Sequence, residues 1–187
     1  TPLNTAYTAA ELDYFVGDAE PKVVVRDAVA LAAEAASATP VLETAPAQPE
    51  DIASLIYTSG TTGRSKGAML SHRALADNAA ALTAAWGFTR RDVLLHALPI
   101  FHVHGLFVAM HCSFLSGSAM LWLDKFDDAA VIDALPRATV MMGVPTFYTR
   151  LLANPCFTRD VARHVRLFIS GSAPLLSSTF AEFEARS

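Results

Sequence analysis

A largely parallel α/β fold, a sheet with helices on its faces, is the class this sequence predicts. Three observations carry the prediction. From Asp51 onward, short aliphatic runs alternate with segments that open on a capping residue and read as helices. The composition, 52% hydrophobic and 17% charged over 187 residues, can fill a sizeable core. The longest mostly apolar stretch, Leu94 to Leu123, is broken by His96, Pro99, His102, His104, His111, Ser116 and Gly117. It therefore reads as a protein interior and not as a membrane helix.

The elements follow in order. Thr8-Ala-Ala-Glu11 has capping-box spacing and opens a helix through Phe15, stopped near Gly17. Val23-Val-Val25 is a β-branched run after Pro21 and predicts a short buried strand. Asp27 caps an alanine-rich helix to about Ala38, and Pro40, Pro46 and Pro49 mark a connector. Ala53 to Thr58 predicts a strand, Ser59 to Gly67 a loop, and Ala68 to Leu70 a second strand. Ser71 opens a helix from His72 to Trp86, ended by Gly87. Val93–Ala97, Ala119–Leu123, Val140–Met142 and Leu167–Ser170 read as further strands. Between them lie helices over Val103–Leu115, Asp127–Leu135 and, with proline at its first position, Pro145–Ala153. A last helical segment begins at Pro174. Residues 1–50 read as the end of one α/β subdomain and a proline-rich connector, and residues 51–187 as a second.

Composition also excludes functions. Fourteen Lys and Arg against eighteen Asp and Glu give a net charge of −4, so no basic excess exists to neutralise a nucleic-acid backbone. The two cysteines, Cys112 and Cys156, form neither a disulfide framework nor a metal spacing, which points to reduced thiols and a cytoplasmic setting. No nucleic-acid or membrane partner is expected.

Chemistry concentrates at Tyr57-Thr58-Ser59-Gly60-Thr61-Thr62-Gly63-Arg64-Ser65-Lys66-Gly67. Gly60, Gly63 and Gly67 lack Cβ atoms, so backbone N–H groups can converge on an anion. The hydroxyls of Thr58, Ser59, Thr61, Thr62 and Ser65 add donors, and Lys66 adds a mobile charge suited to a polyphosphate. Gly, Ser and Thr are also ordinary turn residues, so a plain surface loop is the alternative. The Walker pattern fails at two positions, with Ser65 where its second glycine belongs and Gly67 in place of its hydroxyl. The dinucleotide fingerprint is absent as well.

Thr58-Ser-Gly-Thr-Thr-Gly-Arg-Ser-Lys-Gly67 resembles the phosphate-binding signature of adenylate-forming enzymes: acyl-CoA synthetases, peptide-synthetase adenylation domains and luciferases. Leu98-Pro-Ile-Phe-His-Val-His-Gly-Leu106 is similar to that family's acyl-pocket segment. Ile169-Ser-Gly-Ser-Ala-Pro-Leu175 is similar to its adenine-site turn, and Gly143-Val-Pro-Thr146 to a loop beside the acyl pocket. Leu3-Asn-Thr-Ala-Tyr-Thr-Ala-Ala-Glu-Leu12 adds a fifth similar segment, so the resemblance covers essentially the whole chain. The combination of Phe-His-x-His-Gly-Leu with Gly-Val-Pro-Thr-Phe-Tyr looks closest to malonyl-CoA synthetases.

The resemblance implies part of a large N-terminal α/β domain and an AMP-forming acid–CoA ligase of fatty acid metabolism. It implies ATP, Mg2+ and coenzyme A, the last as a substrate, with malonate or a related carboxylic acid. It assigns Thr58, Ser59, Gly60, Thr61, Thr62, Gly63 and Lys66 to the ATP phosphates, and Thr62 to the metal. Gly171, Ser172, Ala173 and Pro174 fall to the adenine, and Gly143, Pro145, Arg150 and His102 to the acid, with His102 also catalytic. Arg150, His102 and His104 are candidates for a dicarboxylate's second charge, a surface arginine being the alternative for Arg150. Two alternatives stay open: another short-chain or aryl acid ligase, and a nucleotide-binding module without catalysis.

The family's Tyr-Gly-x-Thr-Glu block and its catalytic lysine would lie past Ser187. The sequence thus reads as a central fragment, inactive alone, whose mean hydropathy of +0.34 reflects apolar surface that promotes self-association.

Overall fold

The computed structural model describes residues 2–58 and 65–187. Two compact units result, Leu3–Arg73 and Ala74–Ser187.

In the first unit, α1 (Ala9–Ala19) starts at the expected capping box. The Glu11 amide donates to Thr8 Oγ1 at 3.3 Å, and the Thr8 amide donates to Glu11 Oε2 at 2.8 Å. The helix runs through Gly17 and ends at Glu20, whose left-handed backbone lets its N–H bond the Val16 carbonyl. An interior glycine costs roughly 1 kcal/mol, too little to stop a helix with a better cap downstream. The α2 helix (Ala28–Ala36) is capped by Asp27, whose carboxylate accepts from the Val29 and Ala30 amides. Val23–Val25 is not a strand: no described segment pairs with it, and Val23 is 76% exposed. β-branching favours a strand only where a neighbouring strand takes up the backbone groups.

Strands β1 (Ile52–Thr58) and β2 (Lys66–Ser71) form an antiparallel hairpin that brings Thr58 opposite Lys66. Helix α1 holds this hairpin. Tyr14 Oη donates to the Ser65 carbonyl at 2.7 Å, and Tyr57 Oη donates to Asp18 at 2.7 Å. Phe15 packs its ring 4.5 Å from that of Tyr57. Tyr57 and Ser65, on either side of residues 59–64 in the sequence, are therefore both held by α1.

The second unit is built on a four-stranded sheet, all parallel, in the order β4-β3-β5-β6. The strands are β3 (Val93–His96), β4 (Ala119–Trp122), β5 (Val140–Gly143) and β6 (Leu167–Ser170). Alternation along β3 and β5 divides the core. Leu94, Val140 and Met142 face one layer with Phe88, Leu98, Ala109 and Cys112. Leu95 and Met141 face the other with Val131, Leu135, Tyr148, Leu151 and Phe157. The first face lies under α3 (His72–Ala85), which brings Leu82, and under the helical segment that follows β3. The second face lies under α5 (Asp128–Ala134), α6 (Pro145–Ala153) and α8 (Ser177–Arg186). A four-residue helix not anticipated from sequence, α7 (Arg159–Ala162), is capped by Thr158.

The expected helix over Val103–Leu115 is two segments, a π-helix over His104–Met110 running into α4 (His111–Ser116). Its wide turn begins where Gly105 passes so close to Pro99 that a Cβ would strike the Pro99 carbonyl oxygen.

An ion pair between a buried carboxylate and a half-exposed arginine ties the amino ends of three strands together. Asp92, 4% exposed, accepts from Arg166 Nε at 2.8 Å and Nη2 at 3.0 Å, from Thr139 Oγ1 at 2.8 Å and from the Thr89 amide at 2.8 Å. These donors hold the carboxyl well below its ordinary value of 3.8, the Arg166 hydrogen bonds most of all. Asp92→Ala should destabilise the protein by about 2 kcal/mol, because Thr139, the Thr89 amide and the half-exposed Arg166 lose their acceptor. The stability Asp92 lends is complete above the ordinary carboxylate range. It drains away as pH falls through that range toward the lower native value, since the unfolded chain takes the proton first. Urea unfolding at neutral and acid pH checks both statements: Asp92→Asn should be less stable and should flatten the acid limb.

Candidate functional site

The strand order creates a topological switch point. The chain leaves β3 toward β4 on one side and leaves β5 toward β6 on the other, so the connections diverge at the carboxyl ends of β3 and β5. Such a switch point is where open parallel sheets place ligands. His96 ends β3, Gly143 ends β5, and Ser170 ends β6.

Glycines let the backbone close around this edge. A Cβ on Gly143 would lie 2.9 Å from the Phe147 ring and 3.3 Å from that of Tyr148. Gly143 thus allows α6 to begin at Pro145 directly after the strand and fold back over it. Tyr148, 2% exposed, donates its hydroxyl to the Ile169 carbonyl and fixes α6 to β6. Gly171 continues the ladder past β6, its amide donating to the Gly143 carbonyl at 3.1 Å. Ser172 follows in the left-handed region at φ 68°, and Ala173 and Pro174 lie exposed in the same turn.

His104 is the side chain that meets this turn. Its Nδ1 lies 3.1 Å from Ser172 Oγ, and a Cβ on Gly171 would come within 3.0 Å of its Cε1. His102, the expected pocket residue, is exposed in the turn before the π-helix, against the Phe101 ring. Two residues of spacing send these imidazoles to different sides. The geometry brings His104, and not His102, to the glycine–serine turn.

Arg150 lies on the Phe126 side of α6. It donates to Asp128 at 3.0 Å and covers the Phe126 ring at 4.7 Å, with 52% of its side chain exposed. Tyr148, two residues earlier, points to β6 instead, as helical spacing requires. In the first unit Lys66 is exposed, and Thr58 Oγ1 donates weakly to its carbonyl at 3.4 Å. Ser59, Gly60, Thr61, Thr62 and Gly63 lie outside the described residues.

One polar residue at the edge escaped the sequence reading. His96 is 1% exposed, its ring lies tilted 4.6 Å from that of Trp122, and among the described residues its ring nitrogens have at most a marginal contact with the Leu98 backbone. Burial, and secondarily the positive charge His104 could carry, push its pKa down to about 4. Burial lowers His104 too. Both imidazoles are therefore neutral at physiological pH and able to donate or accept. The signal for His96 was available, since a polar residue closes the apolar run Val93–Leu95.

A parallel α/β unit with a strand-end switch point, following a hairpin that carries a glycine-rich loop, is the scaffold of a small-molecule-binding α/β protein. The chain belongs to the AMP-binding enzyme family, whose sequence profile matches residues 1–187. Among solved structures, ATP-bound MatB from Rhodopseudomonas palustris is 50% identical with a TM-score of 0.93, covering 100% of this chain and 42% of that one. A malonyl-CoA ligase in ternary product complex with methylmalonyl-CoA and AMP is 34% identical, TM-score 0.87, covering 99% and 43%. The mitochondrial malonate–CoA ligase ACSF3 of Mus musculus is 40% identical over 139 residues, 66% of this chain and 24% of its own length. Its Homo sapiens counterpart is 31% identical over 93% of this chain and 37% of its own. The chain thus spans less than half the length of the relatives it matches.

His96 should stay neutral from pH 8 down to about 5, followed by the NMR shifts of its ring carbons. A midpoint above 6 would contradict the burial account. The sign for stability follows: what neutral His96 lends is complete above the ordinary histidine value of 6.5 and is lost as pH falls toward 4.

Proposed function

We propose that this chain supplies the ATP- and acid-binding region of an AMP-forming acid–CoA ligase whose acid is malonate. The observation that carries the reading is likeness along the whole chain, at 50% and 34% identity, to an ATP-bound MatB and to a malonyl-CoA ligase. In the proposed reaction a malonate carboxylate oxygen attacks the α-phosphorus of ATP, and the bond to pyrophosphate breaks. The CoA thiol then attacks the acyl carbon, forming the thioester and releasing AMP.

The residues divide this work by chemistry. The loop from Thr58 to Lys66 offers backbone amides, hydroxyls and one cation to the phosphates, whose charge must be held while the α-phosphorus is attacked. The turn Gly171, Ser172, Ala173 and Pro174 offers small residues and open backbone to a flat base. Gly143, Pro145 and His102 border the acid. Arg150 keeps N–H donors beyond the one given to Asp128, and these suit a second carboxylate. Among the described residues no group of three or more His, Cys, Asp or Glu could hold a metal ion by itself. Mg2+ therefore fits as a partner of the nucleotide, with Thr62 as its candidate protein oxygen, and would offset phosphate charge there.

The test is pyrophosphate exchange and CoA-dependent AMP release by the full-length protein, with malonate, methylmalonate, acetate and 4-coumarate compared. Malonate should give the highest kcat/KM. Exchange only with the aryl acid would replace malonate with that class, and nucleotide binding without exchange would leave a binding module. Arg150→Ala should raise the KM for malonate by about tenfold and leave that for acetate nearly unchanged. Equal losses for both acids would remove Arg150 from dicarboxylate recognition.

A further inference from the structure

We propose that His104 is a positioning residue for the nucleotide turn, its imidazole holding Ser172 in a left-handed backbone conformation. The proposal rests on the adenine assignment of Gly171–Pro174 made above. It goes beyond that assignment by naming what sets the turn's shape.

Among the described residues only Glu20 and Ser172 combine a side chain with positive φ. Glu20 is explained by its place, because it caps α1 and its N–H reaches the Val16 carbonyl. Ser172 caps no helix: it lies in the turn between β6 and α8, and that helix begins only at Ser177. A side chain at φ 68° is strained, and the strain persists only where a neighbour offsets it. Among the described residues the side chain bonded to Ser172 is that of His104, with Nδ1 at 3.1 Å from Oγ.

His104 is itself held. It is 9% exposed and begins the π-helix, with Gly105 behind it pressed against Pro99. In front, the ring takes the room that Gly171 leaves by lacking a Cβ. Glycine at 171, histidine at 104 and serine at 172 therefore form one fitted set. Burial keeps the imidazole neutral, so its tautomer sets whether Nδ1 or the Ser172 hydroxyl donates in this bond.

The consequence is directional. The φ of Ser172 decides which way the peptide planes on either side of it face, and so which N–H and C=O groups the turn presents. His104 arrives from the connection after β3, whereas the turn follows β6. A residue beside the acid-binding segment thereby sets the backbone offered to the base.

The test separates the hydrogen bond from the backbone conformation it maintains. AMP affinity of the full-length protein is measured by calorimetry for Ser172→Ala, Ser172→Gly, His104→Ala and the double variant His104→Ala/Ser172→Gly. Ser172→Ala keeps the strain but loses the bond, and should weaken AMP binding by about tenfold. Ser172→Gly loses both and should bind AMP about fivefold more tightly than Ser172→Ala. His104→Ala should weaken binding as Ser172→Ala does, and the loss should disappear in the double variant. Ser172→Gly binding as poorly as Ser172→Ala, or His104→Ala keeping its full effect in the double variant, overturns the proposal. If the parent protein binds no AMP, the adenine assignment fails instead. The positioning claim is then decided by the crystal structure of His104→Ala, where a Ser172 φ still positive would overturn it.

Discussion

The buried carboxylate of Asp92 is the constraint on which the second unit depends. Parallel strands in this unit are only four residues long, too short for their own ladders to resist slippage. Asp92 stands just before β3, Thr139 just before β5 and Arg166 just before β6, and the carboxylate gathers side-chain donors from both partners. The backbone follows the same line. The Thr139 amide bonds the Val93 carbonyl, and the Arg166 amide bonds the Thr139 carbonyl. Arg166 also donates to the Trp86 and Gly87 carbonyls, which closes the end of α3 onto the same cluster. A charge pair with one buried member is a weak source of net stability, but it penalises every register that leaves it unpaired.

What is aligned at one end of the sheet appears at the other. With the amino ends fixed and the strands equal in length, His96, Gly143 and Ser170 finish at one edge. The distance across the edge is then small enough for the Gly171 amide to reach the Gly143 carbonyl and for His104 to reach Ser172. The polar edge of the sheet is thus a product of structural chemistry on its opposite rim. The β1–β2 hairpin is held differently, by aromatic side chains: Tyr14, Phe15 and Tyr57 join it to α1.

Much of this was legible in the amino-acid order because the signals are local. Capping residues at Thr8, Asp27 and Asp127, proline at 145 and the short aliphatic runs mark their elements within a residue or two. Two elements misled for a common reason. Val23–Val25 has strand composition without a described partner, and Gly17 has a helix-stopping residue upstream of a better cap at Glu20. In each, local preference was outweighed by where hydrogen-bond partners lie, which a neighbouring residue type does not report.

Sequence alone determined the parallel α/β class, the glycine-rich loop between two strands, and the small-residue turn at Gly171–Pro174. Each depends on residues adjacent in the chain, whose conformational limits act over a few bonds. Tertiary structure alone decided which histidine matters to the turn. His102 and His104 are the same residue type in the same apolar run after Pro99, but the π-helix turns His104 inward across 68 residues of sequence to Ser172 and leaves His102 exposed. It likewise paired Asp92 with Arg166, 74 residues apart. Long-range hydrogen bonds of this kind exist only once the sheet order is set, and that order is a property of packing rather than of any local run.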